Sequence, residues 1–185
     1  MNTLVVNNRS SSLEHLEKLI NDLKLQPKVV QVDQLADVEI NPEDLVILSG
    51  SHELTAAWND YVFAQEMQLI KSHVGPLVGI CLGMQLIAHT YGSSIHQLPK
   101  KRYGIAPIKF IDKPSPQSAE VFESHSWSVK KLSEPLVVVA ESGAGIEILR
   151  HNSRPQYGLQ FHPEAANDID GKIILKNILS EILPN

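Results

Sequence analysis

The chain has 185 residues, 43% of them hydrophobic, and a formal net charge of −5. That is enough for one domain (1–185) whose core needs no metal or disulfide staple, and an acidic balance without a Lys/Arg block argues against a nucleic-acid or membrane surface. The single cysteine excludes an internal disulfide and every paired-cysteine zinc site, leaving either a buried small hydrophobe or a reactive thiol, and it suits a reducing cytoplasm.

The first residues lack a basic segment followed by a long apolar run, and no apolar stretch is long enough to span a bilayer. A soluble cytoplasmic protein is therefore expected. Thr3 to Asn7 reads as a strand, and Ser10 to Leu25 carries Leu13, Leu16, Leu19, Ile20 and Leu23 at helical spacing. Lys28 to Val32 and Asp44 to Leu48 read as strands, the latter ending in the polar turn Ser49-Gly50-Ser51-His52. Glu53 to Ser72 suits a helix, Pro76 to Ile80 a strand, and Leu82 to Tyr91 a helix closed by Gly92. Continuous apolar strands alternating with helices indicate a parallel sheet covered on both faces. Beyond Ser94 the pattern changes to short β runs, at Ile105 to Ile111, Ala119 to Glu123, Leu136 to Ala140, Ile146 to His151 and Tyr157 to Phe161, before a closing amphipathic helix from Asp170 to Leu183. The only basic run, Lys100-Lys101-Arg102, reads as a solvated turn.

Two segments carry chemistry. Gly79-Ile80-Cys81-Leu82-Gly83 stands where an apolar strand meets a helix, the arrangement that forces a nucleophile onto a sharp turn. A side chain at either glycine would crowd the strand against the helix, and the helix N-terminus favours a thiolate at Cys81. Taken alone, the pentapeptide also fits an ordinary buried cysteine. The second segment, Gly158-Leu159-Gln160-Phe161-His162-Pro163-Glu164, ends another apolar run in His-Pro-Glu. Its histidine is suited to take a proton from a thiol, and a carboxylate two residues on can hold the imidazole in one tautomer. A lone histidine at a strand end would be unremarked, but the conjunction of the two segments favours catalysis.

Together the segments resemble the two signatures of the class I (triad-type) glutamine amidotransferases, and the resemblance extends from the Ser49-Gly50 turn to the final helix. It implies a flavodoxin-like α/β fold, with a central, mostly parallel sheet, helices on both faces and a small antiparallel β portion. It further implies Cys81, His162 and Glu164 as a catalytic triad, backbone N–H groups of Leu82 and of the Gly50-Ser51 turn as the oxyanion hole, and Gln85, Ser124, His125 and Ser126 as lining for the glutamine pocket. No cofactor and no metal are expected.

Within the family, Glu123-Ser124-His125, Ser128-Val129, Arg102-Tyr103-Gly104 and the run Tyr157 to Glu164 resemble the glutaminase unit of GMP synthase. Without a fused synthetase, such a unit passes ammonia to a separate synthetase of the ATP-pyrophosphatase type. The alternatives are an amidotransferase for an anthranilate or aminodeoxychorismate synthase, a γ-glutamyl hydrolase, or a non-catalytic regulatory homologue. Three positions depart from the pattern: the first strand ends Asn7-Asn8-Arg9-Ser10 rather than in a glycine- or aromatic-bearing motif, the oxyanion turn reads Gly50-Ser51-His52 rather than Gly-Gly-Pro or Gly-Pro-Gly, and Trp127 replaces an aspartate.

Overall fold

The computed structural model describes residues 2–52, 61–111 and 118–184. In chain order its elements are β1 (Thr3–Asn7), α1 (Leu13–Asp22), β2 (Pro27–Gln31), β3 (Leu45–Leu48), α2 (Ala64–Ser72), β4 (Leu77–Ile80), α3 (Leu82–Thr90), β5 (Ser94–Phe110), β6 (Ser118–Lys131), β7 (Leu136–Ser142), β8 (Gly145–His151), β9 (Gln156–Leu159) and α4 (Ile169–Ile182). The strands form one nine-stranded sheet in the order β2-β1-β3-β4-β9-β8-β7-β5-β6. Neighbours from β2 to β9 run parallel, and those from β9 onward are antiparallel.

The continuous apolar runs of β1, β3 and β4 are buried on both faces, as a parallel sheet clad in helices requires. Because strand side chains alternate between faces, Val5, Ile47 and Val78 pack with Leu16 and Ile20 of α1 and Leu175 of α4. Leu4, Val46 and Leu77 pack on the other side with Ile70 of α2 and Ile87 of α3. Each such burial stabilises the fold by about 1.5–3 kcal/mol relative to an exposed side chain.

Several element ends differ from the expectation, each for a local reason. Helix α1 stops at Asp22 because Lys24 takes φ 65°, and its N–H donates to Asn21 O while Leu25 N–H donates to Ile20 O, the Schellman arrangement. Of the helix expected at Glu53 to Ser72, positions 53–60 lie outside the described residues, and the remainder is helical from Ala64. A short 3-10 helix, Val32–Asp37, burying Val32 and Leu35, follows β2 where none was expected.

The expected short runs at Ile105 to Ile111 and Ala119 to Glu123 belong to longer strands. Strand β6 continues to Lys131 because its inward positions after Val121 are Glu123 and His125, polar residues that hide the alternation from a hydrophobicity reading. In β5 the register slips between Gln97, opposite Trp127, and Arg102, opposite His125, so Leu98 to Lys101 bulge outward. The basic run is therefore part of a bulged strand rather than a turn; Lys100 and Lys101 are exposed as expected, whereas Arg102 pairs with the buried Glu123 at 2.7 Å.

The sheet curls so that the outer edge of β6 meets the segment after β9. His162 N–H donates to Phe122 O at 2.9 Å, Phe122 N–H to Asp168 Oδ2 at 3.1 Å and Glu120 N–H to Asp170 Oδ2 at 2.8 Å. Asp168 also caps α4 by accepting from Gly171 N–H. These bonds cover an otherwise open strand edge and fix the loop carrying His162.

Candidate active site

Cys81 links β4 to α3 and adopts φ 50°, ψ −100°, a conformation disfavoured for a residue with a side chain. It is held there by its own N–H, which donates to Leu159 O at 2.7 Å, and by Gln85 N–H, which donates to Cys81 O at 3.1 Å. A Cβ on Gly79 would strike the Gly83 backbone, and one on Gly83 would strike the Leu48 carbonyl. Both glycines are thus required by close packing of α3 on the sheet. Leu82 opens α3, so its backbone N–H belongs to the helix-end donors that have no partner within the helix.

Facing the elbow, His162 Nδ1 lies 2.8 Å from Glu164 Oε1, and both side chains are buried. A carboxylate only accepts, so Nδ1 carries the proton and Nε2 is left towards Cys81. Nε2 is buried and makes no conventional hydrogen bond among the described residues. Burial works against an imidazolium, but the adjoining Cys81 sulfur and then Glu164 outweigh it, holding His162 well above its ordinary pKa. The arrangement favours an imidazolium at His162.

The Ser49-Gly50-Ser51 turn closes the third side. A Cβ on Gly50 would lie 3.1 Å from His162 Cε1 and 3.4 Å from Cys81 Cβ, so the backbone itself borders the reacting groups. Ser49 Oγ donates to Gly50 O at 3.0 Å, and in a trans peptide the Ser51 N–H points the opposite way. Ser51 is not among the residues with positive φ, so its side chain imposes no left-handed strain. Behind the turn, Asn8 N–H donates to Ser49 Oγ at 2.9 Å, and Asn8 Nδ2 donates to Ser49 O and Glu66 Oε1. Glu66 is fully buried, and burial, only partly offset by Asn8, pushes its carboxyl up to about 8.

A cavity of about 310 Å³ opens at Cys81, bordered by Ser51, Leu82, Gln85, Ser124, His125 and Ser126. All the residues expected at the glutamine pocket are thus brought to one cavity, with Lys101 from the β5 bulge and Trp127 beside them. Gln85 is not a free pocket amide, since its Nε2 donates to Trp127 O at 3.0 Å and to Gln160 Oε1 at 3.2 Å. A larger cleft of about 650 Å³ along β5 shares Lys101 with this cavity but is not bordered by Cys81.

Beneath the cavity, Glu123, His125 and Glu147 present ligand atoms within 4.8 Å of one another, the only such group among the described residues. His125 Nδ1 faces Trp127 O at 2.9 Å and so bears the proton, while Nε2 lies 3.5 Å from Glu123 Oε2. Burial opposes ionisation of Glu123, yet His125 and Arg102 together hold it below the usual carboxylate range. Burial and then the charge of Glu123 push Glu147 up to about 7. Arg102 sets a positive charge against Glu123, and burial shifts Glu147 towards its neutral form, while Glu123 Oε1, His125 Nε2 and Glu147 Oε2 stay buried with no hydrogen-bond partner among the described residues.

Sequence reasoning missed Glu66, Glu147 and the side chain of Gln160. The first two carried a signal: Glu66 shares the buried helical face of Phe63 and Ile70, and Glu147 interrupts the apolar run Ile146 to Leu149. An acid in a buried position of an apolar pattern marks a group held by specific partners.

The family model "Glutamine amidotransferase class-I" matches residues 4–182. The chain is 31% identical over 183 residues to the glutamine-hydrolysing GMP synthase subunit of Methanosarcina barkeri, covering 95% of this chain and 94% of that protein. It is 30% identical over 183 residues to the protein of the same name from Methanocaldococcus jannaschii, with 94% of each covered. In structure it is similar to a protein from Thermoplasma acidophilum, with a TM-score of 0.84, 22% identity and coverage of 97% and 93%. A glutamine amidotransferase from Thermotoga maritima gives a TM-score of 0.71 at 20% identity, with coverage of 98% and 84%.

Proposed function

Because this chain belongs to the class I glutamine amidotransferase family, we propose that it hydrolyses the side-chain amide of glutamine at Cys81 and passes the ammonia to a separate synthetase. The observation that carries this reading is the convergence of a buried, conformationally constrained cysteine, a carboxylate-oriented histidine and a close-approaching glycine turn on one cavity. The Cys81 sulfur attacks the amide carbon. Backbone N–H groups of Leu82 and of the Gly50-Ser51 turn hold the oxyanion of the tetrahedral intermediate. The His162 imidazolium gives its proton to the departing nitrogen, which leaves as ammonia. Neutral His162 then takes a proton from water as it attacks the γ-glutamyl thioester, and glutamate departs with Cys81 restored. Throughout, Glu164 keeps Nδ1 as the protonated nitrogen and stabilises the imidazolium. Ser124, His125 and Ser126 border the space for the rest of the glutamine.

The partner we propose is a synthetase of the ATP-pyrophosphatase type that aminates a nucleotide, a choice supported by relatives named as the glutamine-hydrolysing GMP synthase subunit, whose matches cover 94% of this chain or more. The test is ammonia release from glutamine, measured for the chain alone and after addition of such a synthetase with its substrates. The reading expects glutamine turnover that depends on Cys81 and rises with the partner. Turnover by Cys81→Ala at the wild-type rate would overturn it.

A further inference from the structure

We infer that Gln160 is a fourth member of the reacting group, donating an N–H to the Cys81 sulfur and so stabilising its negative charge. Gln160 stands in the His-Pro-Glu segment but has no part in the triad, and its side chain is fully buried. Parallel pairing of β4 with β9 places Ile80 opposite Leu159, so the residues that follow, Cys81 and Gln160, are neighbours at the same end of the sheet. Two backbone bonds fix them there: Cys81 N–H to Leu159 O at 2.7 Å and Gln160 N–H to Glu147 O at 2.9 Å. Gln160 Nε2 is then 3.7 Å from Cys81 Sγ.

An amide can be turned end for end, so its orientation must come from its partners. Here the chain of partners leads back to a group with one sense only. Trp127 O is a carbonyl and only accepts, which turns the NH2 of Gln85 towards it at 3.0 Å. The same NH2 lies 3.2 Å from the Gln160 side chain, and two NH2 groups would repel, so Gln160 presents Oε1 to Gln85. Its own NH2 is left facing the sulfur. Hydrogen bonds to an ionised acceptor are about twice as strong as neutral ones, so this donor favours thiolate over thiol. It does so in the resting enzyme and again when the sulfur becomes the leaving group of the thioester.

Alkylation of the single cysteine by iodoacetamide, followed as a function of pH, reads the sulfur's charge without using glutamine. Gln160→Met keeps the volume and removes the donor; Gln85→Met leaves Gln160 in place and removes the clamp that orients it. We expect Gln160→Met to cut the alkylation rate about tenfold on the acid limb of the profile, below its midpoint, a loss of about 1.4 kcal/mol. Its profile should move about one pH unit upward without a lower plateau, since a more basic thiolate is also more nucleophilic. Gln85→Met should move the profile the same way by less. A purely structural role would lower the plateau and leave the midpoint unmoved. If either variant folds with the wild-type thermal transition and retains the wild-type midpoint, the inference fails. The inference rests on the proposed catalytic use of Cys81 only for its purpose: a wild-type chain inert towards glutamine would sink that function while the alkylation profile still judged Gln160.

Discussion

Replacing Glu66 by glutamine should remove a large pH-dependent weakness of the fold. The carboxyl is fully buried, accepts from Asn8 Nδ2 at 3.0 Å through Oε1 and has no partner for Oε2 among the described residues. Its pKa is raised from 4.5 to about 8, with desolvation the first cause. A raised carboxyl keeps its proton in the folded chain at pH values where the unfolded chain has lost it, so the stability it confers is complete below about pH 4.5 and is lost as pH rises to about 8. The slope is about 1.4 kcal/mol per pH unit, which amounts to several kcal/mol across the window. A chain of this size changes Tm by about 2–4 °C per kcal/mol. Glutamine preserves the acceptor for Asn8 and cannot ionise. The difference in Tm between Glu66→Gln and wild type should therefore grow by on the order of 7–14 °C between pH 5 and pH 8 in calorimetric scans. His162, Glu147 and Asp168 are also raised and weaken both proteins with rising pH, but they cancel in the difference. A difference that stays constant over this range refutes the assignment of a protonated acid behind the Ser49-Gly50 turn.

Three further outcomes are expected. Glu164→Gln should retain measurable glutamine turnover while His162→Ala retains almost none, because misorienting a base costs less than removing it; equal losses in kcat would contradict that division of labour. Gly83→Ala should destabilise the fold by about 1–3 kcal/mol in denaturant titrations, since its Cβ meets the Leu48 carbonyl, and an unchanged midpoint would show that the close helix–strand contact is not needed. If partner binding sets the oxyanion turn, one missing donor costs about 10²–10³ in rate. Ser51→Gly should then raise turnover by the isolated chain towards that of the complex, and an unchanged basal rate with intact partner activation places the switch elsewhere.

The parts of the fold legible in the sequence were those whose burial is apolar. The runs of β1, β3 and β4 and the helical spacing of Leu16, Leu19 and Ile20 state their own environment, and the glycines around Cys81 announce the close packing of α3. What stayed illegible is polar burial and distant pairing. Strand β6 continues through Glu123 and His125 because Arg102, 21 residues away, compensates Glu123, a partnership no local pattern contains. The bulge at Leu98 to Lys101 likewise depends on register with Trp127 and His125. Of the site, Cys81 and the His162–Glu164 contact followed from short motifs. The Asn8–Ser49–Glu66 support and the Trp127–Gln85–Gln160 chain join residues from different elements and appear only once the sheet has curled.

The central claim, that Cys81 is a nucleophile aimed at the glutamine side-chain amide, is tested most directly by trapping it. A diazo-ketone analogue of glutamine places an electrophilic carbon where the amide would sit, and the chain has one cysteine, so intact-protein mass and peptide mapping together identify the modified residue. The account predicts a single adduct at Cys81, slowed by added glutamine and absent from Cys81→Ala. An adduct on any other residue, or hydrolysis of glutamine by a chain whose Cys81 remains unlabelled at saturating analogue, would contradict it.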